Sequence, residues 1–399
     1  MPLGQMADKT IYAMNWIFLI PVICGSIYAI LCVAAVVWLR TRPANPAEAA
    51  AGFWPPVTVL KPVHGLEKNQ RENLRSTCLQ NYPEYQVVFS VQSPDDASIP
   101  LLKEIQKEFG SARITVAIED CRQGTNGKIN NMIGGMRHAR HDLLVISDSD
   151  VLLKSDYLKT IVQPLNDPGV GCACTLYKAA GAKTWFEKME LLTLNADFMA
   201  NVLFAYVTGA SKFCLGASAA LHRSTLDHIG GLEALSDYLV EDYEMGRRIW
   251  TLGRKIAIIP YFVDTIVDLK TPSQWWNHQV YWDQNTRAAR PFAFFATAVI
   301  RAVPFALFYA VIRLGDVLGL ATLAGACLLR IASAAVILGW GLRDREGLRN
   351  LWLLLFRDVA SLATWLLAFL KRTTVWRGTS FVLTRDGRLV AQEPIPTDK

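Results

Sequence analysis

Long apolar runs at both ends of the chain decide most of what it can fold into. Residues 11–39 form the first and hold no charged side chain. At about 1.5 Å rise per residue this run is long enough to cross the roughly 30 Å hydrocarbon core of a bilayer. It is too long for the apolar centre of a cleaved signal peptide. Arg40 and Arg42 follow it where small residues would mark a cleavage site. That basic flank puts the N-terminus outside and the next domain in the cytoplasm. The later runs are residues 292–312, 317–342 and 351–370, interrupted by Arg301, Arg330 and the adjacent Arg357 and Asp358. Charge at membrane depth is costly, so these side chains are expected to face protein or water. Three crossings would leave the basic tail after Lys371 outside, against the positive-inside rule. One of the three runs is therefore expected to be re-entrant or interfacial, and the sequence does not say which.

The expected order is an N-terminal tail (residues 1–10), a transmembrane helix (11–39), a linker (40–56), a soluble domain (57–290), a membrane-embedded region of two to three helices (291–370) and a basic tail (371–399). Hydrophobic residues make up 52% of the chain, against roughly 45–50% in soluble proteins. The excess lies in the terminal runs, and the part between them, about 230 residues, is long enough to bury its own core. The net charge of +6 is modest, and much of the basic excess flanks the apolar runs. The soluble part has no basic stripe of the kind that nucleic acid requires. The eight cysteines are scattered. Cys172 and Cys174 form a CxC pair on an expected strand, without the spacing of a zinc site, and read as reduced thiols on the cytoplasmic side.

Within the soluble part, strands and helices alternate. VTVLKPV, YQVVFSVQ, ARITVAI and DLLVISDSD read as strands; EKNQRENLRSTCLQ, residues 99–109 and GKINNMIGGMRHA read as the helices between them. That order implies an α/β domain with a parallel sheet and right-handed crossovers. Ligands of such sheets bind at the carboxyl ends of the strands. Residues 198–221 are nearly apolar enough for a span, but Gly209, Lys212 and Gly216 break the run. They read as a buried or lipid-facing part of the soluble domain.

Five segments carry candidate chemistry. ISDSD puts Asp148 and Asp150 at positions i and i+2 after an apolar strand. Hard oxygen ligands at a strand end suit Mg²⁺ or Mn²⁺ gripping a diphosphate; a solvated acidic turn is the plain alternative. Asp95 and Asp96 follow the second strand. They suit hydrogen bonds from a ribose or uracil, or simply cap a turn. GTNGKINN opens a helix, with Lys128 available to a phosphate; a polar helix cap explains it equally. Asp242, in the first turn of EDYEMGRRIWTLG, suits a general base, although acidic residues in a first turn also complement the helix dipole. Finally, QWWNHQVYW (residues 274–282) packs aromatic rings, amides and His278 just before the chain becomes apolar. An interfacial belt accounts for its rings. Stacking on a sugar or nucleobase accounts for the amides and the histidine as well.

Taken together, TVLKPVHG, ENLRSTCLQNYPEYQVVFSVQSPDDASI, GKINNMIGGMRHARHDLLVISDSD, GGLEALSDYLVEDYEMGRRI and SQWWNHQVYW resemble the membrane-bound ceramide glucosyltransferases. These are inverting enzymes with a GT-A nucleotide-sugar fold; bacterial relatives that glycosylate hopanoids look similar. The resemblance covers residues 54–291, the first membrane helix and the membrane-embedded tail. It implies a GT-A, Rossmann-like and mostly parallel catalytic domain with membrane helices at both ends. By position it implies nucleotide-sugar binding by Lys61, Asp95, Asp96, Lys128 and Asp148. It further implies a divalent metal, Mg²⁺ or Mn²⁺, at Asp148 and Asp150, and Asp242 as the base. The family's (Q/R)xxRW motif falls on His278, Tyr281 and Trp282, of which only the tryptophan is retained. Arginine pairs bidentately with phosphate and tyrosine cannot. The metal with Lys128, or Arg287 or Arg290 beyond the motif, would then hold the leaving group.

The implied reaction is transfer of glucose from UDP-glucose to the primary hydroxyl of ceramide with inversion. The aromatic segment would then floor the place where a sugar nucleotide meets a membrane lipid. A hopanoid or diacylglycerol acceptor, or UDP-N-acetylglucosamine as donor, is the nearest alternative. A transporter or scaffold with a nucleotide-sensing domain is the alternative of another class, disfavoured by the absence of an inverted repeat of spans. A cytoplasm-facing catalytic domain suits a bacterial inner membrane or a Golgi or ER membrane.

Overall fold

The computed structural model describes residues 3–41, 54–371, 373–376, 379–384 and 386–391, with side chains for residues 15–41, 54–371, 373, 381–384 and 386–390. Most of the expected linker and the last residues of the tail lie outside this range. The described chain forms two compact units. One holds the N-terminal helix, Ala182–Thr208 and Leu269–Lys371. The other holds residues 54–181, Gly209–Asp268 and the strands after Lys371.

The second unit is built on an eight-stranded sheet: β1 (Val57–Pro62), β2 (Tyr85–Val91), β3 (Ile114–Ile118), β4 (Leu143–Ser147), β5 (Val151–Leu152), β6 (Val170–Ala180), β7 (Ser218–His222) and β8 (Lys255–Ile266). Their order is β3-β2-β1-β4-β7-β6-β8-β5. Every residue of β1, β2 and β4 is buried, as expected of strands covered on both faces. These three and β3 are parallel, with Leu60 opposite Val88 on one side and Ile146 on the other. The loops that carry residues 63–69, 93–98 and 148–150 therefore leave one edge of the sheet. The strand–helix alternation stops after β4, and the sheet becomes mixed: β7 runs antiparallel to β4 and β6, and β6 pairs in parallel with β8.

β5, only two residues long, pairs antiparallel with β8 at the far edge. The Asp148–Asp150 turn thus joins the middle of a curled sheet to its rim. It is pinned there by the N–H of Asp148 on Ala217 O (3.2 Å) and by the N–H of Ile266 on Asp150 O (3.1 Å). Cys172, Cys174 and Cys214 are buried, with sulfurs within 4.8 Å of one another and Cys172–Cys214 at 3.2 Å. All are free thiols.

After Lys371 the chain forms a small sheet of β9 (Thr373–Trp376), β10 (Thr379–Leu383) and β11 (Leu389–Ala391). The N–H of Leu389 donates to Asp237 O at 2.7 Å, and that of Leu239 donates to Gly387 O at 3.1 Å. The expected basic tail is therefore a folded part of the soluble unit.

The first unit contains three helices long and apolar enough to cross a membrane: Asn15–Thr41, Val317–Gly341 and Leu351–Leu370. The N-terminal helix itself begins at Leu3, where a tail was expected. Residues 291–312 form a pair, Pro291–Ile300 and Ala302–Ile312, bent by 50° at Arg301. The soluble domain was expected to be continuous from 57 to 290, but Ala182–Thr208 and Leu269 onward group with the membrane helices. Helix Met199–Val207 has an apolar face, burying Met199, Val202 and Leu203. Tyr28 of the N-terminal helix donates to Asn201 at 2.7 Å and meets Phe204 edge-on. Ahead of that helix lies a π-helical turn, Thr193–Phe198, which turns Asp197 toward Arg330 and Arg357. These arginines and Asp358 complete a buried ion-pair network, with Arg330 Nε to Asp358 at 2.7 Å and Arg357 Nη1 to Asp358 at 2.9 Å. Charges within apolar helices are thus paired inside the protein, where isolated charge would be prohibitive.

Candidate active site

Asp148 leaves β4 at the carboxyl edge of the parallel strands. Helix Gly127–Met136 starts beside it, capped by Asn126, whose side-chain oxygen accepts from the N–H groups of Lys128 and Ile129. The Asn126 amide donates to Tyr238 O (2.9 Å) and to Glu241 (3.3 Å), tying this cap to helix Glu241–Thr251. Lys128 then bridges the two: its ammonium lies 2.7 Å from Asp148 and 3.0 Å from Glu241. Burial pulls the Lys128 pKa down, but the carboxylates of Asp148, Glu241 and Asp242 outweigh it and hold the ammonium charged.

Asp242 follows Glu241 in the first turn of its helix. Its Oδ1 accepts from the N–H of Tyr243 at 2.7 Å, and Oδ2 has no hydrogen-bond partner among the described residues. Burial first, then the Glu241 charge, push its pKa up to about 7; Lys128 and the Tyr243 N–H offset part of this. A carboxylate tuned near neutrality suits proton abstraction at physiological pH. Gly216 leaves room for it: a Cβ there would stand 2.7 Å from Asp242 Oδ2.

Asp150 is likewise raised to about 7, by burial and then by Asp148 and Glu67, with Lys61 and Lys128 offsetting. Carboxylates crowded at a strand end, with Asp150 pushed toward its protonated form by burial and then by its neighbours' charge, suit a divalent cation, which would supply the missing positive charge. The donor set of Asp148 and Asp150 fits Mg²⁺ or Mn²⁺.

Other expected site residues have different surroundings. Lys61 is wholly buried (0% exposed). Its ammonium donates to Ser147 Oγ and Val151 O, each at 3.3 Å. Burial lowers its pKa to about 8, with Asp150 and Asp148 opposing. It props the acidic turn from beneath, which corrects its expected role as a direct ligand of the nucleotide sugar. Asp96 accepts from Gly65 N–H (3.0 Å), Ser98 N–H (2.9 Å) and Ser98 Oγ (2.6 Å). Burial alone would raise its pKa, but these bonds and His64 hold it below the usual value. Its carboxylate thus orders the loops after β1 and β2. Asp95 is exposed beside it.

Tyr177 of β6 was not singled out in the sequence. It is buried, and after burial itself the charges of Asp242, Asp148 and Asp150 raise its pKa. Its phenol therefore belongs to the acidic cluster. Glu241 and Glu67 were missed as well.

A sequence profile described as Glycosyl transferase family 21 matches residues 16–389. The chain belongs to this family. Ceramide glucosyltransferase 1 of Caenorhabditis elegans is 28% identical over 208 residues, 51% of this chain and 44% of the relative. Ceramide glucosyltransferase of Candida albicans is 31% identical over 122 residues, 28% of this chain and 22% of the relative. The matched stretches thus span less than half of these curated relatives. Among solved structures, the mannosyltransferase PcManGT from Pyrobaculum calidifontis, determined with GDP-Man and Mn²⁺, superposes with a TM-score of 0.53 at 19% identity. The match covers 89% of this chain and 99% of that one. The likeness is one of fold, and it bears out the GT-A reading of the sheet. The expected ceramide glucosyltransferase family is likewise borne out.

In the membrane unit of this family member, the aromatic segment lies on helix Pro272–Ala289. Its amides and histidine are held in place. Glu190 accepts from Gln279 at 2.5 Å and lies 2.8 Å from His278 Nδ1. The indole N–H of Trp282 donates to His278 Nε2 at 3.1 Å. Indole is a donor only, so Nε2 accepts and the proton sits on Nδ1, facing the Glu190 carboxylate. Tyr281 stacks on His278, and Phe198 meets Trp282 edge-on at 5.4 Å. Trp275 is buried in the core.

Proposed function

We propose that this chain transfers glucose from UDP-glucose to the primary hydroxyl of ceramide by a single inverting displacement. The observation that carries the reading is the convergence of Asp148, Asp150, Lys128, Glu241 and Asp242 at one end of the sheet, with Asp242 tuned near neutrality and one of its oxygens unengaged. Asp95, exposed at the loop ordered by Asp96, meets the nucleotide. Asp148 and Asp150 would hold a divalent cation, which when bound would neutralise charge on the diphosphate. Lys128 leaves its carboxylate partners in part to contact the same phosphates. Asp242 Oδ2 takes the proton of the acceptor hydroxyl, whose oxygen attacks the anomeric carbon from the face opposite the departing UDP. Holding both substrates in line supplies much of the acceleration.

The folded tail supports a cytoplasmic site. Leu389 pairs with Asp237 in the soluble unit, so the chain between residues 269 and 371 crosses the bilayer an even number of times. Val317–Gly341 and Leu351–Leu370 would provide two crossings, and an even count then requires a re-entrant path for the pair bent by 50° at Arg301. With the N-terminus outside, the catalytic unit and the basic tail share the cytoplasm, in accord with the positive-inside rule.

The test is mass spectrometry of lipids from a host that lacks glycolipids, expressing the full chain. Hexosylceramide is the expected product. A glycosylated hopanoid or diacylglycerol, or an N-acetylhexosamine adduct, would replace the acceptor or the donor. No new glycolipid, with the protein folded in the membrane, would refute the reading.

A further inference from the structure

The membrane unit contains a half-open cavity of about 220 Å³. Its apolar lining comes from the N-terminal helix, helix Ala302–Ile312 and helix Val317–Val336, through Gly25, Ala29, Val303, Pro304, Ala326 and Leu329. Its polar lining is the connected network of Asp197, Arg330, Arg357 and Asp358, joined by Asp283 and Arg301 and by Trp282 of the aromatic segment. A cavity with these two linings, set among membrane helices, matches a molecule that is itself part oil and part polar.

The charges say what kind of head it accepts. Three arginines and three aspartates line the space and sum to zero. Arg330 and Arg357 are each paired with both Asp197 and Asp358. Arg301 and Asp283 are looser. They stand 3.8 Å apart, too far for a hydrogen bond. Arg301 also reaches Ser361 Oγ, but its buried Nε–H has no acceptor among the described residues. Asp283 keeps Oδ2 on Thr364 at 2.8 Å, which leaves Oδ1 turned to the gap. A group that both accepts and donates, such as a hydroxyl or an amide, would satisfy Arg301 and Asp283 at once. A phosphate would satisfy Arg301 but would add negative charge to a lining whose charges already sum to zero.

We infer that this cavity seats the acceptor lipid, and that the Arg301–Asp283 pair selects an uncharged head bearing hydroxyl and amide groups over a phosphate head. The inference rests on the lipid-acceptor reading above and adds to it a site and a charge filter.

The test uses the full chain in nanodiscs, without donor, and two photoactivatable probes: a diazirine-bearing ceramide and a diazirine-bearing polyprenyl phosphate. The ceramide probe should label peptides lining the cavity, at least about tenfold more efficiently than the phosphate probe. Ala29→Trp, which fills the apolar end, should abolish that labelling. Asp283→Asn, which leaves Arg301 uncompensated, should shift capture toward the phosphate probe by about fivefold or more. Equal or preferred capture of the phosphate probe by the unaltered protein, ceramide labelling outside the cavity, or labelling that survives Ala29→Trp would each overturn the inference. Mn²⁺-dependent UDP binding is measured on the same samples. Its absence would refute the donor half of the proposed function and leave the cavity result standing.

Discussion

Replacing Gly216 by alanine places a methyl carbon 2.7 Å from Asp242 Oδ2 and 3.1 Å from its Cγ. Ordinary contact between such atoms begins near 3.4 Å, so the carboxylate must retreat by about 0.7 Å. It can do so cheaply, because the clashing atoms are the end of a flexible side chain. Gly216 is not among the residues with positive φ, so alanine adds no backbone strain. Stability should therefore hold, with the melting temperature within about 2 °C of the parent. Catalysis should not hold. A displacement approaching 1 Å at a reacting group costs up to about a hundredfold, so we expect kcat to fall roughly 10- to 50-fold, or about 1.4–2.3 kcal/mol of barrier. The assay is glucosylceramide formation at saturating donor, with UDP affinity measured separately by calorimetry. Unchanged kcat in a folded Gly216→Ala variant would show that Asp242 Oδ2 is not the reacting oxygen. A parallel loss of UDP affinity would move Asp242 to the donor site.

Asp242→Asn keeps the shape and removes the base; transfer should fall by at least about a hundredfold with UDP binding largely retained, and joint loss of both would mark a structural role instead. Asp148→Ala and Asp150→Ala should each weaken Mn²⁺-dependent UDP binding by about tenfold or more, so unchanged Mn²⁺ titrations would count against the metal assignment. Because Asp242 is raised to about 7 by burial and Glu241, and the proposed mechanism uses it deprotonated, kcat/KM should drop along an acidic limb centred near pH 7. Glu241→Gln removes one of the charges that raises it, so the limb should move to lower pH by up to about one unit; a shift to higher pH would contradict that cause.

The first half of the sheet was legible because its strands are continuous apolar runs separated by helices of helical period. Helix Ile99–Phe109, with Ile99, Leu102 and Ile105 buried, matched its expected bounds. Legibility failed where only distant packing decides a role. Lys61 sits in a buried strand, and nothing local to TVLKPVHG says that its ammonium supports a turn at Ser147 and Val151. Tyr177 lies in VGCACTLYKAA and reads as one more buried strand residue; only the curl of the sheet brings it to the acidic cluster. Glu241 looked like an ordinary first-turn acid until Lys128, more than a hundred residues earlier, was found between it and Asp148. Helix Met199–Val207 reads as part of the soluble domain because Gly209, Lys212 and Gly216 break the apolar run of residues 198–221. Its place with the membrane helices depends on partners such as Tyr28. The departure from (Q/R)xxRW at His278 and Tyr281 was plain in the sequence, but the Glu190 that fixes the histidine's tautomer was not.

The most direct test incubates the purified full chain with UDP-glucose carrying ¹³C at the anomeric carbon, ceramide in nanodiscs, and Mn²⁺, and follows the labelled carbon by NMR. The account predicts that the label passes from the α-linked donor to a β-linked ceramide, and that Asp242→Asn stops this while still binding UDP. Label retained in the α configuration, or found only as free glucose at the same rate with and without lipid, would contradict it.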